Sequence, residues 1–443
     1  MKLLSFPFAI IALSTVALSV GCGSSGTGSS GGDADNDGFG VDVDCDDTDD
    51  TIYPGAPEVW DDNIDQDCDG GDDITCIGDY EITADSASQL AAVEYCAVIT
   101  GYLYIRINPS LTNVDGLSSL TEVWGQMAVF ANDALTNVDG LSSLTYVGSD
   151  LYITNNPVLT NVDGLSSLTT VEGYLYMEYN PVLMNVDGLS SLVDVGYLSI
   201  SDNATLTNVD GLSSLTEEDY LYISNNAALT NVDGLSSLTT VGNDLSISNN
   251  SALTNVDGLS SLVDVGYLSI SDNSALANVA GLSSLTTVGN NLSITNNDAL
   301  TNADGLSSLT YVVSLKIQEN DALMNVDGLS SLTDVGGELT IADNSALMNV
   351  DGLSSLTDVG GDLYISDNAA LTNVVGLSSL IGVESSLYID NNAALTNVDG
   401  LASLIDLGGD LNIGDNAALT NVDGLSSLID LGGDLNIGDN AAL

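Results

Sequence analysis

The sequence predicts an all-β chain, a long β-solenoid of 23–24-residue coils preceded by a small acidic loop module. Three observations carry this. A Gly-Leu-Ser-Ser-Leu anchor recurs fourteen times from Gly116 to Gly424, always 23 or 24 residues apart, with Ala402 varying one copy. Between anchors, apolar and polar residues alternate over a few positions, a strand period with no stretch long enough for a helix. Finally, Asp and Glu number 63 against 3 Lys and Arg, and seventeen of those acids crowd into residues 33–73. Such a charge would by itself suggest disorder, but 44% of the chain is hydrophobic and mean hydropathy is +0.24, enough to build a core.

Residues 1–21 read as an export signal: Lys2 is followed by an apolar run from Leu3 to Val20 and then Gly21-Cys22. The stretch Leu18-Ser19-Val20-Gly21-Cys22 resembles a bacterial lipobox, which implies a lipid on Cys22 and an anchor on the outer surface of a bacterial cell. Plain cleavage after Gly21, giving a secreted protein, and an uncleaved membrane anchor are the alternatives. Five cysteines leave one odd thiol, and lipidation of Cys22 would leave four that can pair as neighbours, Cys45 with Cys68 and Cys76 with Cys96. Four cysteines allow three connectivities, so the local pairing is an expectation. Residues 22–32 are a Gly/Ser tether with a root-mean-square reach of about 18 Å.

Residues 33–75 form the acidic module. Asp33, Asp35 and Asp37 alternate ahead of Gly38, so their carboxylates can wrap oxygen around a hard cation while the glycine allows a sharp turn. Asp42, Asp44, Asp46, Asp47 and Asp49 continue the supply, and Asp61, Asn63, Asp65, Asp67 and Asp69 form a second cluster. Oxygen donors without histidine point to calcium. The order D-x-D-x-D-G, D-C-D-D, P-G-A-x-E, D-x-D-C-D-G resembles the Asp-rich, cysteine-paired metal-binding motif of bacterial surface proteins, akin to type-3 thrombospondin repeats. Without metal, so charged and small a segment is expected to be unfolded.

Residues 76–110 are expected to start the solenoid and 111–443 to continue it. In the coil from Gly234 to Asp257, Leu245 and Ile247 alternate with Ser246 as a half-buried strand does, Leu253 with Val256 makes a second apolar edge, and Leu235, Leu238 and Val241 make a third. Gly and Asn between these edges are read as turn residues. Asn also recurs before each apolar edge (Asn156, Asn250, Asn368), where stacked amides can form a ladder. One coil cannot fold alone, so stability is a property of neighbouring coils. Fourteen coils at about 4.8 Å give a length on the order of 65 Å.

The pattern G-x-L-x-I-x-x-N-x-x-L-x-x-V-x-G-L-x-x-L resembles the receptor L-domain family, known from insulin- and EGF-type receptors. Cys76, Leu90, Val93, Cys96, Gly101 and the Leu103 to Ile105 strand follow the order of that family's first coil. The resemblance covers residues 76–443. It implies a right-handed β-helix whose open end is covered by residues 83–95 and clamped by a Cys76–Cys96 bridge. A leucine-rich-repeat horseshoe shares the L-x-x-N-x-x-L core and is the alternative fold.

The outward residue between the strand's two apolar positions is Tyr104, Tyr152, Tyr176, Tyr222, Tyr364 or Tyr388 in six coils. Exposed tyrosine offers rigid amphipathic contact area, so this face is the candidate ligand surface, for a carbohydrate or another protein. Asp precedes the anchor glycine in twelve of fourteen copies, and stacked carboxylates would repel by about 0.9 kcal/mol per pair even in water. Either cations gather along that row, or the Asp side chains cap local turns and salt screens the rest. With so few basic residues, nucleic acid and anionic membranes are excluded as partners, and a lipid anchor would be the only membrane contact. Catalysis is not expected. There is no His, Arg106 and Lys316 lie nine coils apart, and similar carboxylates in every coil single out no catalytic pair. The chain stops mid-coil at Asn440-Ala-Ala-Leu443, so either the sequence is incomplete or that edge meets a partner or another copy of itself.

Overall fold

The structure is a computed structural model describing residues 33–41, 43–54, 56, 64–66, 68, 74–83 and 86–443. The export segment, the tether with Cys22, and Asp42, Asp61, Asn63, Asp67 and Asp69 lie outside the described residues. The described residues fall into two compact units, the acidic module and the repeats from residue 74 onward.

In the repeats, strand follows strand in one parallel sheet of 25 strands. Register is kept by residue type: Leu221, Leu245 and Leu268 align across successive coils, as do Ile223, Ile247 and Ile270. The side-chain period of two therefore sends the strand Leu and Ile to the same side, where all but those of the last coil are fully or almost fully buried, and the intervening residue to the other side. In the coil of Gly234 the three apolar edges named above are all at 0–1% exposure. Each coil is closed by a 3-10 turn, on Asp-Gly-Leu in most copies, such as Asp233–Leu235, and on Ala280–Leu282 and Val375–Leu377 in the other two.

The difference between 23- and 24-residue coils is absorbed inside the strand. Asp194–Ser201 and Glu217–Ser224 have eight residues, whereas Thr170–Glu178 and Thr240–Ser248 have nine, and the register shifts between Val195 and Tyr197 and between Glu218 and Tyr220. A bulge takes up the extra residue, so the buried Leu and Ile positions stay aligned.

The amide ladder is present. Asn250 is fully buried; its backbone N–H donates to Asn273 Oδ1 (3.0 Å), its Oδ1 accepts from the Asn226 N–H (3.0 Å), and its Nδ2 donates to Ile223 O (2.9 Å). The same scheme runs from Asn108 to Asn416, satisfying backbone groups that the bend after each strand would otherwise leave unpaired. The bend itself needs a left-handed residue just before this Asn, with φ of 54–58° from Ile107 to Asp439. Asn or Asp fills most of these positions, as expected for residues that tolerate that conformation.

The anchor glycines lie in the 3-10 turns, but a left-handed backbone is not why they are glycine. None has positive φ; the described positive-φ glycines are Gly38 and Gly78. Instead, a Cβ on Gly258 would stand 1.9 Å from Val232 O in the preceding coil, and the other anchors from Gly140 onward are equally tight. Glycine is there because backbones of neighbouring coils touch. Gly116 is the exception, with nothing nearer than Leu90 Cδ2 at 3.6 Å. Leu90 belongs to the capping segment, where the short helix Ser86–Ala91 and Val93 cover the first coil and Cys76 is bonded to Cys96 (Cα–Cα 5.7 Å).

Candidate metal centre and ligand-binding face

The acidic module is built from turns that turn carboxylates inward. Asn36 at φ 71° and Gly38 at φ 105° let the chain double back, while Asp33 accepts from the Asn36 N–H (2.7 Å) and the Gly38 N–H (3.3 Å). Asp37 accepts from the Phe39 N–H (2.8 Å), and Asp47 reaches across to the Ala34 N–H (3.1 Å). Phe39 stacks on Tyr53 at 5.5 Å between centroids, Ile52 and Ala56 are buried, and Cys45 is bonded to Cys68 with Cα atoms 5.6 Å apart.

Two carboxylate groups result, Asp33 with Asp35 and Asp47, and Asp35 with Asp37 and Asp44; within each, one oxygen per residue lies within 4.8 Å of the others. Asp35 joins both. Burial, and then the charges of Asp37, Asp44 and Asp33, raise its pKa. In the second group Oδ2 of Asp35, Asp37 and Asp44 is buried with no hydrogen-bond partner. Three orphaned, mutually repelling oxygens fit a bound cation, because a metal ion is the one ligand that satisfies them all at once. Cys45 and Cys68 stand beside Asp44, but their sulfurs are bonded to each other and supply no thiolate. The donors are oxygen only.

Not every predicted ligand joins. Asp46 accepts from the Thr48 hydroxyl (2.6 Å), and Asp49 from the Thr51 hydroxyl (2.7 Å) and N–H (3.1 Å), which lowers the Asp49 pKa. Both are spent on local turns. Asp65 is half-buried outside the two groups.

On the strand face, Tyr152 aligns with Tyr176, and their rings stack 5.0 Å apart; Tyr364 and Tyr388 do the same at 4.7 Å. A second tyrosine column, unnoticed in the sequence, stands one residue before the buried Leu. Tyr174, Tyr197 and Tyr220 link the first column into a continuous aromatic patch, through Tyr176–Tyr197 (5.4 Å) and Tyr197–Tyr222 (5.1 Å). The signal was the 23-residue recurrence of Tyr before Leu. Tyr104 stacks on Tyr102 nearer the cap and takes a separate place beside Arg106, which pairs with Glu81. Acidic neighbours hold the phenols: Tyr222 donates to Asp244 (2.7 Å), Tyr152 to Asp150 (3.2 Å) and Tyr364 to Asp362 (3.1 Å). Burial and these carboxylates push Tyr152 and Tyr364 up to about 12 and Tyr222 higher still.

Beside the patch lies a recess of about 580 Å³, flanked by Tyr222 and Tyr267, floored by Ser246, Ser269 and Ser293, and edged by Asp244 and Asn291. A larger recess of about 980 Å³ adjoins the Cys76–Cys96 bridge among Ile77, Tyr95 and Trp124, but its walls offer no carboxylate or amide. The strand-face recess has the better-equipped chemistry.

The Asp row is settled in part. The turn is capped by Asn, since the Asp257 N–H donates to Asn255 Oδ1 (3.0 Å), and the Asp side chains supply no cap hydrogen bond. The capping alternative for these carboxylates is therefore corrected. Where a shift is resolved, at Asp187, burial and then the charges of Asp210 and Asp163 raise the pKa, so neighbouring coils do repel along the row.

Residues 44–73 match the family model Cu-binding_MopE, a metal-binding motif. No curated protein matches the chain. Among solved structures, the crystal structure of a TLR13–ssRNA13 complex aligns over 79% of this chain and 75% of that chain at 14% identity, with a TM-score of 0.19, too low to carry an argument. The chain is a repeat protein, and each family model matches only part of it. Residues 95–190, the first coils of the solenoid, match the family model Receptor L domain.

Proposed function

We propose that this chain is a non-catalytic carbohydrate-binding protein of the bacterial cell surface, stabilised by calcium in its acidic module and anchored through lipid on Cys22. The observation that carries the binding role is the tyrosine patch with its adjoining recess. A planar ring at each flank can stack on the apolar face of a pyranose, while Asp244, Asn291 and three serine hydroxyls can pair with sugar hydroxyls. A net charge of −60 repels acidic glycans and leaves neutral or amino sugars as ligands.

For the metal, the family name Cu-binding_MopE mentions copper, but this chain's donors argue for calcium. Copper prefers imidazole, thiolate or thioether, and here the donors brought together are carboxylate oxygens, with no His in the chain and both neighbouring cysteines in a disulfide. The apolar segment ending at Cys22 and the two disulfides support an exported, lipid-anchored setting.

The test is a glycan array probed with the full chain in calcium, alongside a Tyr152→Ser, Tyr176→Ser, Tyr222→Ser variant. Binding to neutral or amino sugars that the variant loses, with an unchanged circular dichroism spectrum, is the expected result. Binding that survives the triple change, or no glycan bound at all, would refute the assignment and leave a protein ligand or a purely structural spacer.

A further inference from the structure

Glu218 stands where the other coils place a core valine. It aligns with Val241, and the same column holds Val171, Val195 and Val265. Its side chain is 5% exposed, and neither carboxylate oxygen has a hydrogen-bond partner. Asp219 follows at the position of Gly196 and Gly242 in the neighbouring coils, and Glu217 precedes, so Glu-Glu-Asp replaces the usual Asp-Val-Gly or Thr-Val-Gly. Across the preceding coil lies Asp194. Together these carboxylates line a recess of about 240 Å³, which the Thr240 side chain also borders.

Nothing basic is close enough to neutralise them. The two cationic side chains among the described residues are Arg106, engaged by Glu81, and Lys316, four coils further along the chain. Burial, then the charges of Asp194 and Asp219, raise the pKa of Glu218 to about 8. A buried, unpartnered carboxylate beside other carboxylates demands a proton or a metal ion. The recess, the four carboxylates among its lining residues and the bulge that opens the strand at this point favour the ion.

We propose that Glu218, together with Asp194 and Asp219, holds a divalent cation of the calcium class within the solenoid, a site separate from the acidic module. The buried carboxylate anchors the ion, the two exposed ones close over it, and water completes the shell. The site would staple the coils of Gly188 and Gly211 at a bulge, where ladder hydrogen bonds are interrupted.

The experiment is a calcium titration of the full chain by calorimetry, comparing wild type with Glu218→Val and with an Asp35→Asn, Asp37→Asn change in the acidic module. Glu218→Val restores the residue of the neighbouring coils, so its fold is secure. The expected result is loss of one calcium equivalent in Glu218→Val, and retention of that equivalent in the module variant. Terbium luminescence, excited through tyrosine in the module variant, should likewise vanish on adding Glu218→Val. Equal stoichiometry in wild type and Glu218→Val, or terbium emission indifferent to it, would overturn the proposal and leave a protonated Glu218 with no ion.

Discussion

Replacing Gly258 by alanine tests the claim that anchor glycines exist for close approach of coils. The new Cβ would lie 1.9 Å from Val232 O, 2.5 Å from its carbonyl carbon and 2.9 Å from Asp233 Cα, all backbone atoms that cannot rotate away. Relief to an ordinary contact requires the two coils to part by roughly 1.5 Å. That would break inter-coil bonds such as Thr254 N–H to Thr230 O (3.1 Å) and Val263 N–H to Thr239 O (2.9 Å). Two lost hydrogen bonds at about 1 kcal/mol each, added to an overpacking cost of about 1–3 kcal/mol, give a destabilisation of about 3–5 kcal/mol. Gly116→Ala is the control. Its Cβ meets Leu90 Cδ2 at 3.6 Å, and its φ is not in the left-handed region, so a change within about 0.5 kcal/mol is expected. Denaturant unfolding measures both, and hydrogen exchange should show the loss concentrated in the coils of Gly234 and Gly258. Equal effects of the two substitutions would refute the close-approach argument.

Asn250→Ala should cost about 2–6 kcal/mol by orphaning the Asn226 N–H and Ile223 C=O, while Asn255→Ala, which removes only a half-buried turn cap, should cost about 1 kcal/mol; thermal melts distinguish the two. Ile107→Asn should stabilise by about 1 kcal/mol, because a β-branched residue at φ 54° with 59% exposure gives up no core contact and escapes backbone strain; an unchanged denaturation midpoint would contradict this. Absorbance titration at alkaline pH should find Tyr152 and Tyr364 ionising near 12, with Phe substitutions removing that part of the curve. Since folding raises these pKa values, their stabilising contribution is complete below the free-tyrosine value of about 10 and lost as pH rises through 12.

Much of the solenoid was legible because its determinants are local and repeated. Leu245, Ile247, Leu253 and Val256 have equivalents in nearly every coil, with the alternation that burial requires, and the Asn columns recur with them. What a repeat pattern hides is the reason for a residue and the meaning of an exception. Glycine serves in turns and at tight contacts alike, and only the 1.9 Å approach at Val232 O tells the two apart. Glu218 was overlooked because a consensus suppresses the single coil that departs from it. In the acidic module, spacing announced oxygen donors but could not say which carboxylates converge. Asp33, Asp35, Asp37, Asp44 and Asp47 do, whereas Asp46 and Asp49 are claimed by neighbouring threonines two residues away. Tyr174, Tyr197 and Tyr220 were missed because only the residue between the strand's two apolar positions was read as outward, whereas the residue before the first Leu also stands beside that column.

The nearly unbroken columns of Leu, Ile, Asn and Gly have a consequence for how such a molecule changes over generations. Apart from exceptions such as Glu218, each coil meets, above and below, the residue types it would meet anywhere else in the stack, so the interior keeps no record of how many coils there are. Deleting or duplicating one unit of 23 or 24 residues would rejoin Leu to Leu and Asn to Asn without disturbing a buried contact. Copy number can therefore drift through recombination between near-identical stretches of coding sequence. Meanwhile the outward positions, which no neighbouring coil constrains, remain free to accumulate differences one coil at a time.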